Sequence, residues 1–354
     1  MWMKHSSNAS FDVSTPGAPR KHAPDFFKFG FSRLPTIPTT MRAAAIDKFG
    51  DPEVLKLQTL RVPIPDPSEV LIEVDTAGVG PWDADIRGGW SPGGHIKFPY
   101  VLGYEGSGTV VSMGSHVRRF KIGDHVYAYS WNNPQGGFYA EYTAVPAEKV
   151  APIPKKLDLF HAGTLPISGL TALQGIDDVL ELKRDEHILI HGASGGVGAL
   201  AIQFARLRHA RVFASASGED GVALALRLGA HAAVDGKTED IAEAARRFAP
   251  KGVECVLALA GGSGFQKCLD ATRDGSRVAY PNGVEPVPRK RKGIEMLAYD
   301  AVAGVVEFER LNRAVVDANL KVPIADTYNL ASAAEAHKRI EEGHVLGKIA
   351  LRIR

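Results

Sequence analysis

Cysteine is nearly missing from this chain. Two occur in 354 residues, Cys255 and Cys268, which argues against a disulfide framework and cysteine-rich zinc sites and favours a reducing, cytoplasmic setting. Net charge is nearly missing too. Lys and Arg number 42 against 40 Asp and Glu, +2 overall, so no strong field draws the chain to nucleic acid or to a membrane surface. No apolar run approaches the ~20 residues of a membrane span. No internal repeat is visible. Hydrophobic residues are plentiful, 45% beside 23% charged, the balance of a globular protein long enough for two domains.

Residues 1–40 stand apart. MWMKHSSNASFDVSTPGAPRKHAP is polar and aperiodic, without the apolar core of a signal peptide. The stretch reads as a flexible or loosely docked leader. An organelle-targeting peptide and the remnant of an expression tag stay open. Arg20, Lys21, Lys28 and Arg33 suit targeting, and Asp12 and Asp25 oppose it.

From Met41 the chain runs in short strands punctuated by Gly and Pro. EVLIEVDTAGVG alternates apolar and polar residues, and SGTVVSMG, DHVYAY and YAEYTAVP continue the style, so this part is predicted to be β-rich and barrel-like. Near residue 160 the pattern changes. Two helices are expected around Pro166 and Gly169. Apolar runs such as HILIHG, RVFASAS and VECVLALAGG then alternate with helical segments such as VGALAIQFARLR and FQKCLDATR. That alternation predicts a doubly wound parallel sheet covered on both faces. VVEFERLNRAVVDANL and AAEAHKRIEEGHVLG read as later helices, with strands around Tyr328 and at KIALRI.

HGASGGVG, His191 to Gly198, follows a buried strand and opens a helix. Gly195, Gly196 and Gly198 let backbone N–H groups approach a pyrophosphate at a helix N-terminus, and Ser194 adds a hydroxyl. The strict GxGxxG pattern fails at Ala193. The end of the next strand selects the dinucleotide. No acid stands there before Glu219; Ala216 and Ser217 leave room for a 2′-phosphate, and Ser217 can donate to it. The expected basic partner is missing locally, because Glu219, Asp220 and Gly221 follow and Arg227 lies further on. NADPH is the preferred cofactor, with NADH left open.

Several motifs in order extend the reading. AGVGPWDADIRGG, PYVLGYEGSGTVVSMGSHVRRFKIGDHVYA, GGFYAEY, LPISGLTA, HGASGGVG, LRLGAHAAVD and GHVLGKIAL resemble the medium-chain dehydrogenase/reductase superfamily, and within it the zinc-independent, zeta-crystallin-like quinone oxidoreductases. The resemblance covers Met41 to Arg354. It implies an α/β architecture: a GroES-like β-rich catalytic domain from residues 41–165 and 305–354, and a Rossmann NAD(P)-binding domain from 166–304. The active site would lie in the cleft. A homodimer or homotetramer is implied, as is an Ala opening the glycine loop. Zinc-dependent relatives place Cys and His where Gly80 and Tyr104 stand, while Glu105 is kept, and the segment between Asp124 and Phe138 has no Cys. No zinc is therefore expected, which disfavours alcohol oxidation and leaves hydride transfer from NADPH to a quinone or an α,β-unsaturated carbonyl. A pathway-specific enoyl reductase and an NADPH-binding sensor or scaffold without turnover are the alternatives.

The same resemblance assigns candidates. Asp83 matches a retained Asp, and Tyr104 carries a phenol that could bond a carbonyl oxygen or protonate an enolate. Gly80 and Asp85 depart from the Asn and Tyr usual in quinone reductases. Trp82, Trp90, Tyr129 and Trp131 would line a pocket for a small, planar, apolar electron acceptor. Thr171, at the start of a helix, and Lys348 would lie near the cofactor, with Ser194, Gly195, Gly196 and Val197 on its pyrophosphate and Ala216 and Ser217 beside its ribose. Leu259 and Ala260 end one parallel strand at the carboxyl edge; Tyr280, Asn282 and Gly283 end the next. His187, His191, His209 and His231 lack ligand spacing, and the basic run Arg289 to Lys292 reads as a solvated loop rather than a nucleic-acid contact.

Overall fold

The computed structural model describes residues 36–90, 96–131, 133 and 136–354. Residues 1–35 of the expected leader lie outside the described residues, and strand β1 already begins at Thr40. In the first third of the chain the elements are β1 (Thr40–Ile46), β2 (Lys56–Arg61), β3 (Glu69–Val79), α1 (Pro81–Arg87), β4 (Tyr100–Val101), β5 (Glu105–Met113), β6 (His125–Tyr129), β7 (Tyr142–Pro146) and β8 (Val150–Pro152). Two helices follow, α2 (Leu159–Ala162) and α3 (Pro166–Gln174). Both α1 and α3 start on proline, whose fixed φ and missing N–H suit a first helical turn.

Strand and helix then alternate: β9 (His187–His191), α4 (Gly196–Leu207), β10 (Arg211–Ala216), α5 (Gly218–Arg227), β11 (Ala232–Asp235), α6 (Ile241–Phe248), β12 (Val253–Ala258), α7 (Gly262–Asp270), β13 (Thr272–Pro281) and β14 (Glu295–Tyr299). The chain closes with α8 (Val305–Asp317), β15 (Ile324–Asn329), α9 (Ala333–Glu341) and β16 (Lys348–Arg352).

Strands β9 to β14 form one sheet in the order β11-β10-β9-β12-β13-β14, parallel throughout. The order reverses between β9 and β12, the topological switch point beside which ligands bind in such sheets. Ala258 pairs with His191, so the carboxyl ends of β9 and β12 lie level and the loops that follow them open on one edge. The remaining strands build a seven-stranded sheet, β15-β16-β3-β5-β6-β8 with β7 also on β3, and a small sheet, β2-β1-β4. This is a GroES-like β lobe joined to a Rossmann-like parallel sheet.

Helix α4 explains how the lobes join. Every residue from Gly198 to Ala205 is buried, because the parallel sheet covers one side and α3 and α8 the other. Phe308, Leu311 and Val315 of α8 share a core with α4 and with Tyr127 of β6, and the Tyr127 hydroxyl donates to Asn312 at 2.6 Å. The helix at 305–317 thus packs into the core of the parallel sheet as well as against β8. Strand β14 carries no sequence signal. It lies at the sheet edge, where Glu295, Leu297 and Ala298 are exposed, so neither an apolar run nor a clean alternation marks it.

Candidate active site

The loop after β9 turns sharply. Gly192 and Ala193 both donate to Ser215 O at 3.0 Å, and Gly195 N closes back on Gly192 O at 3.2 Å. Helix α4 starts so close to this turn that a Cβ at Gly198 would lie 2.4 Å from Gly192 O and 2.7 Å from the Ala193 Cα. At Gly195 the only atom of the described residues that a Cβ would meet beyond its chain neighbours is Gly192 O, 3.5 Å away. Gly198 therefore closes the fold, and Gly195 leaves open space. Ala193 is fully buried in the core, which accounts for a methyl where the strict pattern has glycine. The first-turn N–H groups of α4 point out of this loop without intrahelical partners, a ready anion cradle.

The C-terminal segment reaches the same loop. Gly347 N donates to Ser194 O at 2.9 Å, and Gly347 forms a parallel bridge with Gly195. The next residue, Lys348, is buried. Its ammonium bonds Glu105 Oε1 at 2.8 Å and Ser168 Oγ at 2.9 Å, and lies 5.2 Å from the centre of the Trp82 ring, within cation–π range. Glu105 Oε2 accepts from Ile167 N at 2.8 Å. Burial pushes the Glu105 carboxyl above the usual range while Lys348 pulls it back. Gly78 makes the room, since a Cβ there would lie 2.3 Å from Glu105 Oε1. One ion pair thereby ties β5, β16 and the start of α3 together beneath the glycine loop.

Tyr104 is 2% exposed. Its hydroxyl pairs with that of Tyr100 at 2.8 Å, and burial raises it far above the ordinary phenol range. Trp131 leans over it with ring centres 4.7 Å apart, and Trp90 and Tyr129 lie 6.2 and 6.4 Å from Trp131. Three of the four expected pocket aromatics thus gather around Trp131 and Tyr104. Trp82 sits elsewhere, over Gly80 and beside Lys348. A Cβ at Gly80 would lie 2.2 Å from its ring, so this indole fills the space an Asn would need.

Asp83 is fully buried. It accepts from Gly80 N at 2.9 Å and from Gly103 N at 3.2 Å, and the Tyr139 phenol bonds it. Burial pushes its carboxyl up to about 7, against the pull of the Gly80 N–H. The native state thus keeps a proton that the unfolded chain gives up at the ordinary aspartate range. The stability linked to that proton is full below pH ~4 and is lost as pH rises to about 7, a swing of order ~4 kcal/mol. In denaturant unfolding from pH 4.5 to 8, the wild-type protein should lose stability relative to Asp83→Asn as pH rises. A difference between the two that stays constant with pH would refute this.

The other candidates fall as follows. Thr171 lies in the middle of α3, not at its start, because Pro166 begins that helix; its carbonyl accepts from the Tyr299 hydroxyl at 2.8 Å. Leu259 N donates to His191 O at 3.0 Å, holding Leu259 and Ala260 beside the glycine loop. Asn282 gives its amide to Asp300 Oδ2 at 2.8 Å. Tyr280 stacks edge-on to Phe265, ring centres 5.5 Å apart, and Gly283 takes a left-handed φ of 89°. Ala216 is buried at the end of β10, and the Ser217 hydroxyl is buried with no hydrogen-bond partner among the described residues. Val197, half-buried, completes the first turn of α4. Ser168 and the ion-paired role of Glu105 escaped the sequence reading. Ser168 carries no local signal, being brought to Lys348 across 180 residues.

Comparison with known proteins decides the family. Residues 66–155 match the family "Alcohol dehydrogenase GroES-like domain", and residues 228–351 match "Zinc-binding dehydrogenase". The chain is 32% identical over 316 residues to the quinone oxidoreductase of Sus scrofa, a match covering 85% of this chain and 94% of that protein. The chain belongs to the medium-chain dehydrogenase/reductase superfamily, in its quinone oxidoreductase branch. Solved structures agree. An NAD-dependent alcohol dehydrogenase superimposes with a TM-score of 0.82 at 30% identity, covering 89% of this chain and all of that one. The Escherichia coli quinone oxidoreductase, solved with NADPH, does so with a TM-score of 0.79 at 25% identity, covering 89% and 100%.

As a member of this branch the protein is an oxidoreductase. Among the described residues no three His, Cys, Asp or Glu side chains group closely enough to hold a metal ion. None of the helices described is long and apolar enough to cross a membrane.

Proposed function

We propose that the protein is a zinc-independent reductase that uses NADPH to reduce a quinone or an α,β-unsaturated carbonyl. The observation that carries the reading is the set of Trp90, Tyr129 and Trp131 around Tyr104. It offers flat apolar faces where a metal-dependent relative would present ligands. Gly80 and Tyr104 bring neither thiolate nor imidazole to those positions, so the donor set does not fit zinc. The acceptor must then be electrophilic on its own account.

The residues of the glycine loop fit a dinucleotide. Ser194, Gly195, Gly196 and Val197 would hold the pyrophosphate; Ala216 and Ser217 would meet the adenosine ribose; Thr171, Leu259, Ala260, Tyr280, Asn282, Gly283 and Lys348 would surround the rest. The cofactor supplies hydride when bound. The chain does the positioning and the proton management. Tyr100 and Tyr104 have two hydroxyl protons and spend one on each other, which leaves one donor for a carbonyl oxygen. Their burial keeps both phenols protonated, so the pair polarises the acceptor rather than surrendering a proton to bulk solvent. Asp83 holds the turn at Gly80 and Gly103 that carries Trp82 and Tyr104.

NADPH and NADH oxidation, measured against quinones, enals and enones with a metal chelator present, tests the reading. Turnover with NADPH and at least one acceptor, undiminished by chelator, is expected. Saturable NADPH binding without turnover would turn the assignment toward a sensor or scaffold, and loss of activity in chelator would overturn the zinc-free assignment. We also infer a homodimer or homotetramer. Among the described residues β14 pairs only with β13 and exposes Leu297, with Val302 and, in α8, Val306 exposed nearby in sequence; such a strand edge is of the kind that self-association covers.

A further inference from the structure

Helix α9 sends a buried imidazole toward the turn that carries Asp83. His337 is fully buried. Its Nε2 lies 3.3 Å from the Tyr139 hydroxyl, and the two rings meet edge-on with centres 5.8 Å apart. Tyr139 is itself fixed by its backbone. Its N–H donates to Leu102 O at 2.9 Å, and its carbonyl accepts from Ala44 N at 2.8 Å. Gly103 makes room for its ring: a Cβ there, at a left-handed φ of 95°, would lie 2.4 Å from Tyr139 Cδ1. The same phenol bonds Asp83, whose oxygens accept from Gly80 N and Gly103 N. Asp83, Tyr139 and His337 therefore form one buried line from α1 to α9.

A phenol has one proton, so the line has two settings. In the first, the Tyr139 proton points at Asp83, and His337 Nε2–H donates to the phenol oxygen. In the second, the Tyr139 proton points at Nε2, and the imidazole proton sits on Nδ1. Two observations select the first. Nδ1 is buried with no hydrogen-bond partner among the described residues, and an N–H placed there would be a buried donor without an acceptor. Arg87 of α1, also buried, acts on the same ring: burial, then the Arg87 charge, pushes the imidazole down to about 3, so His337 is neutral. Arg87 pairs with Glu341 through Nη2, while its Nε and Nη1 have no partner among the described residues. A guanidinium offers donors only. This corner is short of acceptors, so a lone pair on Nδ1 suits it and a further N–H does not.

We propose that His337 is a positioning residue of the cleft: its Nε2–H fixes the Tyr139 proton on Asp83, and so holds the turn at Gly80 and Gly103 that carries Trp82 and Tyr104. The setting favours the Asp83 carboxylate, because only an ionised oxygen needs the phenol proton. It acts with the two backbone N–H groups and with Lys348 of β16, against burial and the charge of Glu105 of β5. The Tyr100 and Tyr104 phenols feel the charge of Asp83 as well. Removing the His337 donor frees Tyr139 to turn away, and Asp83 then keeps its proton to higher pH. The bearing on Trp82 and Tyr104 as groups of a reaction rests on the reductase reading; the hydrogen-bond setting does not.

Denaturant unfolding of the full chain from pH 4.5 to 9 tests this without cofactor or acceptor. The stability difference between a protein and its Asp83→Asn counterpart levels off where Asp83 has lost its proton. In His337→Leu that pH is expected to lie about one pH unit above the wild-type value, a tenfold change in proton affinity on the scale of one hydrogen bond to a charged group. His337→Gln, whose amide can donate in place of Nε2–H, is expected to stay at the wild-type pH. In a Tyr139→Phe background the His337→Leu change should have no effect on it. An equal move in the Leu and Gln variants, or no move in either, would overturn the proposal, whatever either change does to overall stability. Should His337→Leu fail to fold, nitrogen-15 NMR of the wild-type histidines decides. A proton on Nε2 and a bare Nδ1 are expected for the resonances that vanish in His337→Gln, and the reverse tautomer would overturn the proposal. A chain that shows the expected shifts yet reduces no acceptor would overturn the reductase reading and leave the setting of His337 intact.

Discussion

Replacing Lys348 by methionine is expected to destabilise the protein by about 3–5 kcal/mol, the range for removing one member of a buried ion pair. The side chains of Lys348 and Glu105 are 4% and 0% exposed. Without the ammonium, Glu105 Oε1 loses its partner and only the Ile167 N–H remains on the other oxygen. The stranded carboxyl then takes up a proton, as its upward shift in the native protein already foreshadows. Its folded-state proton affinity rises above that of the unfolded chain, so the variant's stability is best at low pH and falls as pH rises. The double variant Glu105→Gln/Lys348→Met should recover most of the loss. Glutamine keeps an oxygen for Ile167 N and carries no charge to desolvate. Urea unfolding of the four proteins measures the cycle. A single-variant loss below about 1 kcal/mol, the scale of an exposed pair, would mean that the pair is not desolvated in solution.

That pair marks the limit of what a linear reading can see. The turn at Gly192 to Gly198 was legible because its signals are local. A five-residue apolar strand, closely spaced glycines and a helix occupy one continuous stretch. The doubly wound parallel sheet was implied by strand–helix alternation from β9 to β13 for the same reason, each unit being a short βα step. The ring cluster was half legible. Trp90, Tyr129 and Trp131 could be grouped as aromatics of the cleft loops, but the pairing of Tyr104 with Tyr100 could not be read from the sequence. Ser168 on Lys348 and His344 on Asp220 join residues 180 and 124 positions apart, and nothing in the spacing of either partner announces the other. Edge strand β14 failed to show for a different reason. Half-solvated strands bury too little to impose a pattern.

Two glycines three residues apart should answer to substitution in different ways, and the contrast separates fold from ligand. At Gly198 a methyl would press on the Gly192 carbonyl and the Ala193 Cα at 2.4 and 2.7 Å. These are backbone atoms, and no rotamer change can clear them. Gly198→Ala must push α4 off the end of β9, at a cost of about 1–3 kcal/mol for overpacking, and the displaced N–H groups lose their common focus. At Gly195 the added methyl would enter open space, with Gly192 O at 3.5 Å as its only neighbour among the described residues. Gly195→Ala should therefore unfold at the wild-type temperature. If the loop holds the pyrophosphate, that same methyl stands where the backbone must approach the phosphates, and NADPH affinity should fall by about a hundredfold, on the scale of two charge-assisted hydrogen bonds. Thermal unfolding and NADPH titration of both variants give four numbers. Loss of affinity in Gly198→Ala alone would make the loop a structural turn. Loss in Gly195→Ala without loss of stability points to a ligand over the loop, because no described residue would clash with that methyl.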